Sequence, residues 1–239
     1  MTREAASGAD AAPTGHDSAQ GPRDSSDDRG DAGDTIVFAT IDAAIDEIRA
    51  GRPVLVADDE DRENEVDVIF AARTATREWL AWTIRHSSGY LCAPMPAALA
   101  DELELPLMVD RSQDPRQTAY TVSVDAAEGV TTGISAADRA TTLRALGAPG
   151  ATAADLIRPG HVLPLRAVDE GVFARAGHTE AAVDLVRLAG VGTVGAIAEL
   201  VLDDGDMMRV PDAAALAADL GLALVTITAL ADWRRDHDR

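Results

Sequence analysis

Apolar residues first recur with helical spacing at Ile41, Ala44, Ile45 and Ile48, and Gly51 closes the pattern, so a helix is expected over 41–50. The run Pro53 to Ala57 reads as a short buried strand, and Val66 to Ala72 as a second. A helix is expected over Glu78 to His86 and a strand over Gly89 to Ala93. Residues Ala119 to Val124 alternate in the strand manner. Ser135-Ala-Ala-Asp138 opens a helix in the capping-box pattern, which runs to Leu146 before Gly147. Further strands are expected over Val162 to Ala167, Val194 to Leu202 and Ala223 to Ile227. Helices are expected over Thr179 to Ala189 and, with proline at its start, Pro211 to Leu220. Strands and helices mix without strict alternation, and two adjacent strands flank one acidic loop. The expected fold is therefore a single α+β domain with a mixed β-sheet and surrounding helices rather than a regular doubly wound sheet.

Residues 1–34 nearly lack large apolar side chains and are rich in Ala, Gly, Ser, Asp and Pro. They read as a disordered acidic tail before a domain over 35–232, and 233–239 reads as a charged C-terminal tail. No apolar run is long enough to span a membrane and no secretory leader is visible, so a cytoplasmic protein is expected. The net charge of −20 argues against a nucleic-acid partner.

Two absences narrow the chemistry. Cys92 is the only cysteine, which leaves neither an intrachain disulfide nor a cysteine-rich metal site. It lies in an apolar run and is read as a packed, inert thiol. All 21 basic residues are arginine. With no lysine there is no lysine Schiff base, and a developing carbanion or enolate would need a metal or fixed dipoles.

Four places carry candidate chemistry. Seven carboxylates crowd Asp58 to Asp67 (Asp58, Asp59, Glu60, Asp61, Glu63, Glu65, Asp67), around Arg62. Such a cluster is either a solvated hairpin tip or a seat for a hard cation such as magnesium or manganese. Arg158-Pro-Gly-His161 places a histidine beside a turn, where it is a structural residue or a proton carrier. Arg175-Ala-Gly-His-Thr-Glu180 leads into a helix and is an ordinary N-cap or an anion site. Glu199 is an acid within an apolar run and calls for a partner, a function or an exposed edge.

Taken together, the segments DDEDRENEVDVIFAA (58–72), TIRHSSGYLC (83–92), TVSVDAAEGVTTGISAADRATT (121–142), RPGHVLPLRA (158–167), RAGHTEAAVDL (175–185), AELVLDDGDMMR (198–209) and LALVTI (222–227) resemble the 3,4-dihydroxy-2-butanone 4-phosphate synthase family of riboflavin biosynthesis. The resemblance spans about residues 36 to 232. It implies a lyase that converts D-ribulose 5-phosphate to 3,4-dihydroxy-2-butanone 4-phosphate and formate, with Mg²⁺ or Mn²⁺ and no organic cofactor. Carried over, Glu63 and His178 would be metal ligands. Arg62, Glu63, Asp67 and the segment Arg175, Ala176, Gly177, His178 and Thr179 would bind the sugar phosphate. His161 and Glu199 would be catalytic. The family also implies a homodimer. The chain ends soon after Trp233, which suggests the monofunctional form. One departure stands out: Val66 occupies a position that is glycine in the family, so a re-shaped loop, or a paralogue with another sugar phosphate or a truncated reaction, is a second expectation. A non-catalytic scaffold homologue is a third.

Overall fold

The structure, a computed structural model, describes residues 36–238. The expected acidic tail over 1–34 lies outside the described residues.

Among the described residues seven strands form one mixed sheet in the order β4-β5-β3-β6-β2-β1-β7. They are β1 Val54–Ala57, β2 Val66–Ala71, β3 Cys92–Pro96, β4 Val124–Ala126, β5 Leu156–Ala167, β6 Gly195–Glu199 and β7 Leu224–Thr226. β1 and β7 pair in parallel, as do β3 and β5, while the other neighbours are antiparallel. Among the described residues seven α-helices cover the sheet: α1 Ile41–Arg49, α2 Arg77–His86, α3 Ala97–Glu102, α4 Ala136–Leu146, α5 His178–Leu188, α6 Val210–Leu220 and α7 Ile227–His237.

The period-two alternation of the strands divides the core between two faces. Leu55, Val68, Phe70, Ala196 and Leu224 pack with Leu80, Ala100, Leu143 and Ala213, from α2, α3, α4 and α6. Val54, Val56, Ile69, Ile197 and Val225 pack with Ile45, Leu185 and Leu230, from α1, α5 and α7. Strands buried on both faces explain why β1 reads as a continuous apolar run and why β2 is apolar but for Asp67.

The helix starts follow local sequence. Thr40, Thr76, Ser135 and Thr226 each accept a backbone N–H at the N-cap of α1, α2, α4 and α7. α5 differs: its N-cap is Gly177, which offers no capping side chain. Several boundaries depart from the sequence reading. β3 begins at Cys92 and runs through Pro94 and Pro96; β6 pairs with it only at Cys92, which leaves beyond it an open side on which proline is tolerated. β5 starts six residues early, at Leu156. The alternating stretch before Val124 makes only isolated bridges, at Tyr120 and Thr121. Residues 233–237, which read as the start of a charged tail, form the last turns of α7. There Arg234 is buried between Asp184, Asp238 and the carbonyl of Glu170.

Among the described residues, no helix is long and apolar enough to cross a membrane.

Candidate active site

The acidic segment is an ordered loop joining β1 to β2, and Asp58 organises it. Its carboxylate is buried and accepts the backbone N–H groups of Glu63 (3.1 Å) and Glu65 (2.8 Å) and a guanidinium N–H of Arg62 (2.8 Å). The main chain of Asp58 also donates to Glu65 at 3.2 Å. Arg62 bridges Asp58 to Glu63 and so neutralises part of the cluster from within.

Val66 is the first residue of β2, opposite Ala57, with its side chain fully buried. Its backbone is not left-handed; the positive φ in this segment belongs to Asn64, at 53°. The valine therefore sits where a β-branched residue is at home.

Beyond the loop, register sets the next contacts. Asp67 on β2 lies opposite Glu199 on β6. Asp67 is buried, and its Oδ1 has no hydrogen-bond partner. Burial first, then the charges of Glu199, Glu65, Glu63 and Asp58, raise its pKa well above the usual carboxylate range. Burial and the charges of Glu63 and Glu199 raise Glu65 in the same direction. The hydroxyl of Ser88 donates to Glu199 at 2.6 Å.

His178, the first residue of α5, joins the cluster from the helix that covers the same face of the sheet as Asp67 and Glu199. Its Nε2 lies 3.0 Å from the carbonyl of Val56. A carbonyl only accepts, so Nε2 carries the proton and Nδ1 keeps its lone pair. That Nδ1 is 3.6 Å from the unpartnered Asp67 Oδ1 and 3.9 Å from Glu63 Oε2. Burial lowers the pKa of the imidazole and keeps it neutral.

These residues fit a divalent cation. Asp58, Glu63 and His178 each bring one ligand atom within 4.8 Å of the others. Asp58 already accepts three hydrogen bonds, so Glu63 and His178 are the freer donors, with the orphaned oxygen of Asp67 beside them. Hard oxygens with one imidazole suit magnesium or manganese.

An anion site adjoins. Arg175 donates to Glu180 at 2.6 Å and reaches the Thr118 hydroxyl at 3.3 Å. A Cβ at Gly177 would come within 2.5 Å of the Arg175 guanidinium and 3.0 Å of that of Arg62, so glycine lets both arginines approach the uncapped start of α5. Free N–H groups there favour an anion.

The resulting cleft, of about 80 Å³, is lined by Arg62, Glu63, Asp67, Arg175, His178, Thr179 and Glu199 from the sequence reading. Glu65, Cys92, Thr118, Tyr120, Leu165 and Ile197 complete it. Cys92 is buried, and burial with the charges of Glu199 and Asp67 raises its thiol pKa, in keeping with an unreactive sulfur that nonetheless faces the site. A roomier hollow of about 410 Å³ beside α4 is lined largely by alanine. Its Asp155 is spent on a cap with Thr152.

His161 is not among the residues lining the cleft. It pairs with Asp125 through Nδ1 at 2.7 Å, on the paired strands β4 and β5. With Nδ1 donating to the Asp125 carboxylate, Nε2 is left free of a partner among the described residues. Gly133, at φ 89°, closes over the pair; a Cβ there would lie 2.0 Å from Asp125 and 2.5 Å from His161. Around it Ile134 and Ile157 are about half exposed.

The 3,4-dihydroxy-2-butanone 4-phosphate synthase family model matches residues 42–233. The chain belongs to the 3,4-dihydroxy-2-butanone 4-phosphate synthase family. It is 58% identical over 202 residues to the riboflavin biosynthesis protein RibBA of Salinispora arenicola, which covers 84% of this chain and 48% of that protein. The chain thus spans about half the length of the curated relatives it matches. A crystal structure of a 3,4-dihydroxy-2-butanone 4-phosphate synthase in complex with two magnesium ions superimposes with a TM-score of 0.81 at 45% identity, covering 83% of this chain and 98% of that one. The Candida albicans synthase gives a TM-score of 0.77 at 46% identity, covering 82% and 98%. The single α+β domain with a mixed sheet is therefore the synthase fold.

Sequence reasoning missed Thr118, Tyr120 and Ser88. Thr118 and Tyr120 lie in a stretch with little regular structure, and Ser88 in a turn. No residue type or spacing sets them apart.

Proposed function

We propose that this chain converts D-ribulose 5-phosphate to 3,4-dihydroxy-2-butanone 4-phosphate and formate. The reading is supported by one arrangement above all: the unpartnered Asp67 Oδ1 facing the lone pair of His178 Nδ1 beside Glu63. The atoms of the pentose phosphate equal those of the two products, so no external oxidant or reductant is required.

In this reading Glu63 and His178 hold Mg²⁺ or Mn²⁺, with Asp67 beside them. When bound, the cation polarises the sugar oxygens and offsets negative charge as enolates develop. Arg62, Arg175 and the N–H groups of His178 and Thr179 bind the phosphate, and Gly177 leaves room for the two guanidinium groups. Ala176 supplies backbone and little bulk. Glu199, oriented by the Ser88 hydroxyl, is placed to take and return protons at the carbon chain, and Asp67 contacts the sugar beside the cation.

The chain also forms a homodimer in this proposal, and a second copy presents the His161–Asp125 pair to the cleft. The half-exposed Ile134 and Ile157 next to that pair support such a face. A cytoplasmic location belongs to the same reading.

The test is direct. Purified protein incubated with ribulose 5-phosphate and magnesium releases formate, and EDTA abolishes the release. Absence of formate under both conditions would sink the proposal.

A further inference from the structure

Arg209 lies outside the cleft, yet it holds the loop that builds one wall. It is the exposed N-cap residue of α6. One of its guanidinium nitrogens donates to the carbonyl of Glu63 at 3.0 Å and also to the carbonyl of Asn64. Among the described residues these two carbonyls have no other hydrogen-bond partner. The left-handed Asn64 between Glu63 and Glu65 turns the loop at this point, where a side chain 145 residues away in sequence receives it.

The loop is thus gripped from two sides. Asp58 takes its inward N–H groups at Glu63 and Glu65. Arg209 takes its outward carbonyls. Arg209 is also tied to the opposite wall. The chain leaves Glu199, turns over 202–206, and returns with Met208 donating to the carbonyl of Leu200 at 2.9 Å. Leu200 in turn donates to Val66 at 2.9 Å. The segment that carries Glu199 therefore ends in the residue that secures Glu63.

We infer that Arg209 is a positioning residue: it latches the acidic loop so that the Glu63 carboxylate is preset for the cation. This rests on the proposed cation site but concerns a residue that touches neither metal nor sugar. An exposed arginine donating to carbonyls contributes little to global stability, so its effect is local.

Arg209→Ala and Arg209→Lys test it by NMR-detected hydrogen exchange at the Glu63 and Glu65 amides, Mn²⁺ titration by electron paramagnetic resonance, and thermal unfolding. In Arg209→Ala both amides exchange at least about tenfold faster and the Mn²⁺ Kd rises roughly tenfold, the scale seen when a ligand loses its outer support. The unfolding midpoint stays within about 2 °C. Arg209→Lys, which keeps a donor, recovers most of both effects. Unchanged exchange overturns the inference, and so does faster exchange with unchanged Mn²⁺ affinity. If the wild type proves not to bind Mn²⁺, exchange alone decides. A wild type that releases no formate, with the loop effect intact, refutes the reaction and not the latch.

Discussion

His178 gives its Nε2 proton to the carbonyl of Val56, 3.0 Å away, and that one bond decides what the other ring nitrogen can do. Val56 belongs to β1, immediately before the acidic loop, so the strand that launches the loop also fixes the tautomer of the imidazole facing it. A histidine that ligates through one nitrogen is commonly held this way through the other. His178→Gln removes the Nδ1 donor, and Mn²⁺ affinity is expected to fall by about a hundredfold or more, exceeding the usual effect of disturbing an outer partner. Titration of the variant against wild type checks this; equal affinities would remove His178 from the metal site.

Glu63→Gln keeps the shape of the side chain and its backbone N–H bond to Asp58 but loses the charge. Turnover is expected to vanish. The metal-free variant should unfold no lower than wild type, because one of several crowded carboxylates is gone. Formate release and a thermal scan in EDTA measure the two effects. Wild-type rates would exclude Glu63 as a ligand.

Much of this site was legible in the sequence, for reasons that differ by residue. The acidic run and the Arg175 to Thr179 segment announce themselves through charge density and through small residues before a helix. Glu199 stands out as an acid inside an apolar strand. The sequence does not reveal that Asp58 faces inward as an organiser while its neighbour Asp59 stays exposed. Nor does it show that His161 lies away from the cleft its neighbours share, since strand pairing across 36 residues sets its place. Arg209 is indistinguishable from any surface arginine until its two carbonyl partners are seen. The fold was readable wherever apolar periodicity was strong, as in α1, β1 and β2. It was misjudged at β3 and β5, where prolines normally read as breakers sit inside the strands.

Val66→Gly tests whether the valine is an adaptation of the active site or of the core. Its side chain is fully buried against the β1 and β6 neighbours. Losing a buried valine, together with the freedom that glycine adds to a strand, costs about 2–4 kcal/mol of stability. Turnover at 25 °C is expected to be unchanged or raised. Chemical denaturation and formate assay separate the two. A large loss of turnover in a folded variant would show that the valine serves chemistry.

If a second copy brings His161 to the cleft, two inactive variants should rescue each other. His161→Ala and Glu199→Gln are each expected to be inactive. Mixed and allowed to exchange subunits, they form hybrids with one intact site of two, and about a quarter of wild-type activity returns at equal mixing, as random pairing into closed twofold dimers requires. Formate release after mixing, with light scattering to establish the dimer, is the measurement. A dimer that shows no rescue would place His161 in its own subunit's site or outside catalysis.

Asp138 links the acid sensitivity of the fold to the His161–Asp125 pair. Its carboxylate accepts the Thr131 hydroxyl at 2.7 Å and the N–H groups of Thr131 and Gly133, each at 3.1 Å. It thereby holds the turn whose Gly133 closes over Asp125 and His161. Those bonds, the Thr131 hydroxyl foremost, lower its pKa below the ordinary value of 3.8. The unfolded chain therefore takes the proton first as pH falls. The stabilisation is complete above 3.8, and it fades as pH drops through the lower folded value. Asp138→Asn should accordingly lower the melting temperature at pH 7 and flatten its decline between about pH 5 and 3. It should also loosen the turn over His161, so that kcat falls more than KM rises. A variant with the wild-type acid slope would show that Asp138 keeps its ordinary pKa in the folded state and that the turn is held by Ser135 and the rest of α4.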